Sequence, residues 1–362
     1  MAVGLLVIAA GAAGVWWLDT NVFVDDIEPG QPVEYEVRRG QTVRSVGEEL
    51  AEAGVIRSPV RFRLAAEEQG LSQTMQPGRY EFVTGMDNEE AIEVLLAGPL
   101  APPQIRFTVQ EGLTVEQTLE RLAEQFEAYD VADFRAVLDA RVEAGSNLPG
   151  QLQIPEWVPE PGDIEDDEIE PFEGVLFPET YDVVDDASPR DILQRMVDQL
   201  NRTLNAIPDD VVEAAIEDEE RTLYDHLIIA SLIERETRVD DERRTIAGVI
   251  ENRLVEGMRL QIDATVVYAM GGGATQIVTL ADLEIEHPHN TYRIDGLPPT
   301  PIAGVGAASL RAAFEPEDVP YRFYVLDAAC DGTHVFAETA DEHDANVAAF
   351  REAGRCQEEL DQ

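Results

Sequence analysis

The chain has 362 residues, 44% of them hydrophobic, which is enough to bury a sizeable core and to form two or three domains. All 26 basic residues are arginine, against 73 aspartates and glutamates, so the formal charge is −47. Such a field repels nucleic acid and anionic lipid surfaces, and neither is expected as a ligand, while arginine stays available for carboxylates.

Residues Ala2 to Leu18 form a charge-free apolar run ending in Trp16-Trp17-Leu18. As a helix it reaches about 26 Å, just enough to cross a bilayer core, with the tryptophans at the outer interface. We expect residues 1–18 to be a single-pass anchor in the cell membrane, with the bulk of the chain extracytoplasmic. A cleaved signal peptide is the alternative. Residues 19–32 are acidic with a Pro-Gly turn and read as a tether.

In residues 33–101, Val33 to Val37 alternates like a strand and Gly40 turns the chain. Thr42 to Ala53 has helical periodicity, with Val43, Val46 and Leu50 on one stripe. Ser58 can cap a second helix running to Glu68. Pro77 to Phe82 reads as a returning strand, and Asn88 opens a helix through Leu96. This strand–helix–helix–strand order resembles a LysM-type glycan-binding module; a purely structural platform is the alternative.

Pro102-Pro103 breaks the chain before residues 102–362, a larger unit that makes the whole an α+β protein. A strand is expected at Ile105 to Val109 and helices at Thr114 to Phe126, Val131 to Arg141 and Ser188 to Ile207. Residues 145–171, rich in Pro, Gly, Asp and Glu, read as an exposed, mobile insertion. A helix is expected from about Asp240 to Glu256, then a loop- and strand-rich C-terminal part. Cys330 and Cys356 are the only cysteines; a disulfide and two free thiols are both open.

Chemistry concentrates after Leu227. The apolar run Leu227 to Ile233 reads as a helix buried on most sides, and it leads directly into Glu234-Arg235-Glu236-Thr237. Glu236 shares its helix face with Ile233, Leu232 and Ile229; Glu234 lies beside Ser231, Ala230 and Leu227 and can reach Arg238 at i+4. The greasier setting should raise the pKa of Glu236, as a general acid requires, and the arginine should keep Glu234 ionised. The alternative is two solvated helix-end acids. Ser231 lacks a Gly-x-Ser-x-Gly elbow, and the five histidines show no His-Glu-x-x-His pattern. His287-Pro-His289 reads as a bystander pair, so no metal or other cofactor is expected.

Further motifs follow in order: Asn252-Arg253-Leu254, Leu260-Gln261-Ile262-Asp263-Ala264-Thr265, Asn290-Thr291-Tyr292-Arg293, Gly296-Leu297-Pro298-Pro299-Thr300-Pro301-Ile302, Tyr324-Val325-Leu326 and Gly332-Thr333-His334-Val335-Phe336. Upstream stands Glu173-Gly174-Val175-Leu176-Phe177-Pro178-Glu179-Thr180-Tyr181. In this order and spacing they resemble the endolytic peptidoglycan transglycosylases of the YceG-like family, over roughly residues 35 to 350. Ala264 stands where that family usually has proline, and His289 where it often has tyrosine, which affects local loop geometry.

The resemblance implies cleavage of the MurNAc–GlcNAc β-1,4 bond within glycan strands, giving 1,6-anhydro-MurNAc ends, in cell-wall assembly. Glu236 is then the catalytic acid and Glu234 the secondary candidate. Gln261, Asn290 and Tyr292, polar residues in motif loops, would bind sugar hydroxyls or acetamido groups, with loop capping as the alternative; Asp263 and Arg253 complete the expected substrate-binding set. Partners would be peptidoglycan strands, the membrane through the N-terminal helix, and peptidoglycan synthases. Two other readings stand beside this one: a non-catalytic scaffold that recruits synthases, and a hydrolytic muramidase pairing Glu236 with Asp263.

Overall fold

The computed structural model describes residues 28–160, 169–216, 221–272, 278–329 and 331–353. The expected anchor, residues 19–27 of the tether, and both cysteines lie outside the described residues. Among those described, no helix is long and apolar enough to cross a membrane. The chain divides into two compact units, Met1–Gln104 and Ile105–Gln362.

The first unit runs β1 (Pro32–Val37), α1 (Val43–Glu52), α2 (Pro59–Glu68), the short α3 (Leu71–Thr74), β2 (Gly78–Val83) and α4 (Asn88–Ala97). β1 and β2 pair antiparallel, with Val33 opposite Phe82 and Tyr35 opposite Tyr80. Side-chain caps start the helices: Thr42 for α1, Ser58 for α2 and Asp87 for α4 each accept from a backbone N–H three residues on. The core is Val46, Leu50, Phe62, Tyr80, Phe82, Ile92 and Leu95, all buried. At Gly47 a Cβ would lie 2.7 Å from the Phe62 ring, so this glycine is what lets α1 approach α2.

The second unit runs β3 (Gln104–Thr108), α5 (Val115–Gln125), α6 (Val131–Ala144), β4 (Thr180–Val184), α7 (Pro189–Leu204), α8 (Asp209–Ile216), α9 (Leu223–Glu236), a 3-10 turn (Asp240–Glu242), α10 (Arg243–Val255), α11 (Asp263–Ala269), α12 (Ala307–Phe314), β5 (Phe323–Leu326), β6 (His334–Ala337) and α13 (Ala340–Ala353). The strands form two-stranded sheets, β3 with β4 and β5 with β6. The mixed α+β class is therefore observed, with helices dominating. The C-terminal part expected to be loops and strands holds three of these helices, α11 to α13. They are short or rich in alanine, so they carry little apolar periodicity to read.

α9 is the core element. Leu227 to Ile233 are all buried, and the helix packs against α10, α11 and α12. Ser231, midway along it, donates to the Ile228 carbonyl at 2.7 Å and accepts from the Ile302 N–H at 3.1 Å. That bond pins the Pro298–Pro301 loop to the helix, a structural use for a serine with no nucleophilic surroundings.

Residues 145–150 are exposed as expected, but the rest of the segment 145–171, where described, departs from its expected exposure. Among its described residues Leu152, Ile154, Val158 and Ile169 are buried, and Trp157 Nε1 donates to Asn201 on α7 at 3.3 Å. Apolar residues spaced singly among prolines and acids do not stand out in composition, yet each fills a place in the core.

Candidate active site

Glu236 is the last residue of α9. Thr237 after it is extended (φ −133°), which stops the helix, and its hydroxyl accepts from the Val239 N–H at 2.9 Å. Glu236 itself keeps partial solvent access. Its Oε2 accepts a hydrogen bond from the Tyr324 hydroxyl at 2.7 Å. Burial pushes the Glu236 carboxyl above the usual carboxylate range and the charge of Asp263 adds to this. The Tyr324 bond and the positive charges of His334 and Arg253 act against it. Burial beside this carboxylate in turn raises the Tyr324 phenol.

The wall behind Tyr324 comes from the two-stranded β5–β6 sheet. The Tyr324 ring meets His334 edge-on at 5.4 Å and Phe336 at 6.2 Å. Glu242 accepts from the His334 backbone N–H and lies 2.8 Å from its Nδ1, at 2.8 Å in both cases. A carboxylate on Nδ1 fixes the proton there and sets the ring.

Asn252 and Arg253 on α10 hold the entry to β5. Asn252 Nδ2 donates to the carbonyls of Val319 and Tyr321, and Arg253 Nε to that of Arg322 at 2.5 Å. Arg253 Nη1 donates to the carbonyl of Leu260 at 2.5 Å, and the guanidinium lies 5.2 Å from the Phe323 ring centre. Arg253, expected to contact substrate, is 8% exposed and spends these donors on backbone. It joins the strand bearing Tyr324 to the loop bearing Gln261 and Asp263.

That loop is tied to the Asn290–Arg293 loop by a buried threonine pair. Thr291 Oγ1 accepts from the Ile262 N–H at 2.9 Å and lies 2.9 Å from Thr265 Oγ1. Gln261 is exposed and has φ +49°, the only non-glycine positive φ among the described residues. Asp263, exposed at the start of α11, accepts from the Tyr292 hydroxyl at 2.5 Å. Burial and this bond hold the Tyr292 phenol protonated. Asn290 is fully buried: its Nδ2 donates to the carbonyls of Leu283 and Ile285, and its Oδ1 accepts from the Tyr292 N–H. These are the bonds of the loop-capping alternative for Asn290, all made within its own loop region. The structure thus groups Glu236, Gln261, Asp263 and Tyr292 as accessible polar residues, with Arg253 and Asn290 as supports.

Glu234 turns to another environment. Its side chain is 8% exposed, accepts from the Gly306 N–H at 3.1 Å at the start of α12, and lies 3.7 Å from Arg243. Arg238, the partner expected from i+4 spacing, lies past the helix end and that geometry is lost. Glu111 packs against the same turn, where a Gly306 Cβ would lie 2.1 Å from its Oε1. Burial and the nearby charge of Glu234 raise the Glu111 carboxyl.

Two residues carry more than their sequence signal suggested. Tyr324 stood in a quoted motif without a role; its bond partner is 88 positions away. Glu173, which opens the Glu-Gly-Val-Leu-Phe-Pro element, is 1% exposed. Its carboxylate accepts from the Val115 N–H at 3.0 Å and the Tyr268 hydroxyl at 3.2 Å. Burial, with Glu170 nearby, pushes it up to about 8. His289 is also buried, its Nε2 2.8 Å from Thr300 Oγ1 and its ring 4.8 Å from Tyr268. Among the described residues no three His, Cys, Asp or Glu are grouped to hold a metal ion.

Comparison with known proteins puts this site in context. The model of the YceG-like family matches residues 35–349. The chain is 32% identical over 315 residues to the endolytic murein transglycosylase of Bacillus subtilis (strain 168), covering 86% of this chain and 82% of that protein. It is 25% identical over 357 residues to the endolytic murein transglycosylase of Streptococcus pneumoniae (strain R6), covering 95% of this chain and 63% of that one. A crystal structure of a YceG-like protein from Listeria monocytogenes superposes with a TM-score of 0.54 at 27% identity, over 87% of this chain and 99% of the other. Agreement over nearly the whole described length, in sequence and in fold, makes this chain a member of the YceG-like family.

Proposed function

We propose that the chain is an endolytic lytic transglycosylase that cuts the MurNAc–GlcNAc β-1,4 bond within peptidoglycan strands and leaves 1,6-anhydro-MurNAc ends. The observation that carries this reading is Glu236, whose carboxyl burial pushes above the ordinary carboxylate range, the direction a general acid needs, while the residue stays partly open to solvent. The neutral acid gives its proton to the leaving O4 as the C1–O4 bond breaks with its electron pair on O4. The carboxylate then takes the proton from the MurNAc 6-hydroxyl as O6 bonds to C1. Atoms balance without water, and one carboxyl group suffices because the substrate supplies the nucleophile. Asp263, exposed and held by Tyr292, faces the positive charge that develops at C1; Gln261 and Tyr292 hold the sugar.

The names of the relatives support a murein substrate and this reaction class. In the same reading the run Ala2 to Leu18 anchors the chain in the cell membrane, the first unit binds glycan as a LysM-like module, and synthases are partners in wall assembly. The support for these is the apolar run itself and the strand–helix–helix–strand order of the first unit.

The test is mass spectrometry of sacculi digested by the full chain and by Glu236→Gln. Anhydro ends from the wild type and none from the variant are expected. Reducing ends would instead mean a hydrolytic muramidase with Asp263 as second carboxylate, and no product from either would mean a scaffold.

A further inference from the structure

The reaction proposed above asks one carboxyl group to give a proton to O4 and then take one from O6. Of the two Glu236 oxygens, Oε2 is engaged by the Tyr324 hydroxyl at 2.7 Å. The phenol making that bond has little freedom. Its ring is flanked by His334 and Phe336, and Glu242 holds His334 at both Nδ1 and the backbone N–H. The approach to β5 is fixed by the Asn252 and Arg253 bonds to the carbonyls of Val319, Tyr321 and Arg322.

We propose that Tyr324 is a positioning residue for Glu236: by holding Oε2 it makes Oε1 the oxygen through which both protons pass, and it stabilises the carboxylate more than the acid. This rests on Glu236 being the acid of the proposed reaction. A hydroxyl donates more strongly to an ionised oxygen than to a neutral one. The bond therefore tightens as the Oε1 proton leaves for O4, and that gain falls in the transition state. When Oε1 takes the O6 proton the neutral acid is restored, with Tyr324 still in place and no other reactant consumed.

The charged and titratable groups that face Glu236 are Tyr324 on β5, His334 on β6, Asp263 on α11 and Arg253 on α10, with Arg235 beside it on α9 and Tyr292 from the Asn290–Arg293 loop. Asp263 favours the protonated form, whereas Tyr324, His334 and Arg253 favour the carboxylate. Removing the Tyr324 hydroxyl should therefore make Glu236 a weaker acid.

In the full chain acting on purified, uncrosslinked glycan strands, Tyr324→Phe should lower kcat about 10- to 100-fold, with KM changed by no more than about twofold. The alkaline limb of the kcat profile should move to higher pH, a change that a merely structural role would not produce. A limb that stays in place or moves to lower pH in folded Tyr324→Phe protein overturns the proposal. Should that variant not fold, 3-fluorotyrosine at position 324, nearly isosteric and a stronger donor, should move the limb to lower pH; an unmoved limb there overturns it equally. Carbon-13 titration of the Glu236 carboxyl in substrate-free protein reads the same shift without any reaction. Failure of the Tyr324 bond is thereby separated from failure of Glu236 as the acid, which would show as an active Glu236→Gln enzyme.

Discussion

Glu234 and Glu236 lie two positions apart at the end of α9, yet their carboxylates take different partners: Glu234 the Gly306 backbone N–H at 3.1 Å, Glu236 the Tyr324 hydroxyl at 2.7 Å. Glu234 ties α9 to the start of α12 and faces Arg243, whose Nη1 also donates to Ser309 Oγ at 2.8 Å. A neutral amide there leaves a buried guanidinium with less compensation. Glu234→Gln should cost about 1–3 kcal/mol of stability in urea unfolding and keep most of the activity. Glu236→Gln should show the reverse, with stability retained and product lost. Loss of product from a fully stable Glu234→Gln protein would transfer the acid role to Glu234.

Asp263 tunes the same acid from outside the helix. Its negative charge opposes ionisation of Glu236, so removing it should make Glu236 a stronger acid. Activity requires the protonated form, and the alkaline limb for Asp263→Asn should therefore move to lower pH. This is opposite in sign to the change expected for Tyr324→Phe. Peak kcat should fall as well, because the Tyr292 hydroxyl loses its ionised partner and C1 loses a facing charge. A limb that moves upward would show that Asp263 acts on Glu236 by some route other than charge.

Glu173 gives the fold a pH dependence that is independent of catalysis. Its carboxyl is pushed up to about 8 by burial, so the folded state holds a proton that the unfolded chain, near the ordinary value of 4.5, has released. Where the native state binds more protons, stability falls as pH rises. The wild type should lose stability from about pH 4.5 up to about pH 8, with a slope approaching ~1.4 kcal/mol per pH unit from this one group. Glu173→Gln keeps an acceptor for the Val115 N–H without the titration, and its urea midpoint should vary less over that range. Parallel profiles for the two proteins would show that Glu173 is solvated in solution.

The parts legible in the sequence are those decided locally. Ser58 caps the helix that follows it, as expected, and the helices expected from Thr42 and Ser188 begin there, because a hydroxyl within reach of a backbone N–H three residues on needs nothing from the rest of the chain. The apolar run Leu227 to Ile233 announced a buried helix ending in two acids, and α9 is that helix. What stayed illegible depends on partners far along the chain. Asn290 and Arg253 are polar residues of the motifs, like Gln261 and Tyr292, and composition does not separate those left accessible from those that hold carbonyls. Their burial is set by Leu283, Ile285, Leu260 and Arg322, which the tertiary fold brings in. Glu234 lost its expected i+4 partner for a similar reason, since the helix stops at Glu236 and Arg243 arrives from α10 instead.

Gln261 holds strain two residues before Asp263. A non-glycine residue at φ +49° pays for the contact between its Cβ and its own backbone, on the order of 1 kcal/mol. The conformation is imposed from both sides. Arg253 holds the Leu260 carbonyl, the Gln261 N–H donates to the Thr291 carbonyl at 3.2 Å, and the Ile262 N–H donates to Thr291 Oγ1. With the backbone over-determined in this way, glycine at 261 fits without strain, although it also gains freedom in the unfolded chain. Gln261→Gly should therefore be neutral to about 1 kcal/mol more stable. If the exposed carboxamide binds sugar, the same variant should raise KM several-fold on glycan strands while the pH limb set by Glu236 stays in place. Gln261→Ala separates the two effects, because it keeps the strain and loses the carboxamide: it should match the glycine variant in KM and the wild type in stability. A glycine variant that binds strands as tightly as the wild type would leave the positive φ as a backbone device for aiming Asp263, with no sugar contact at Gln261.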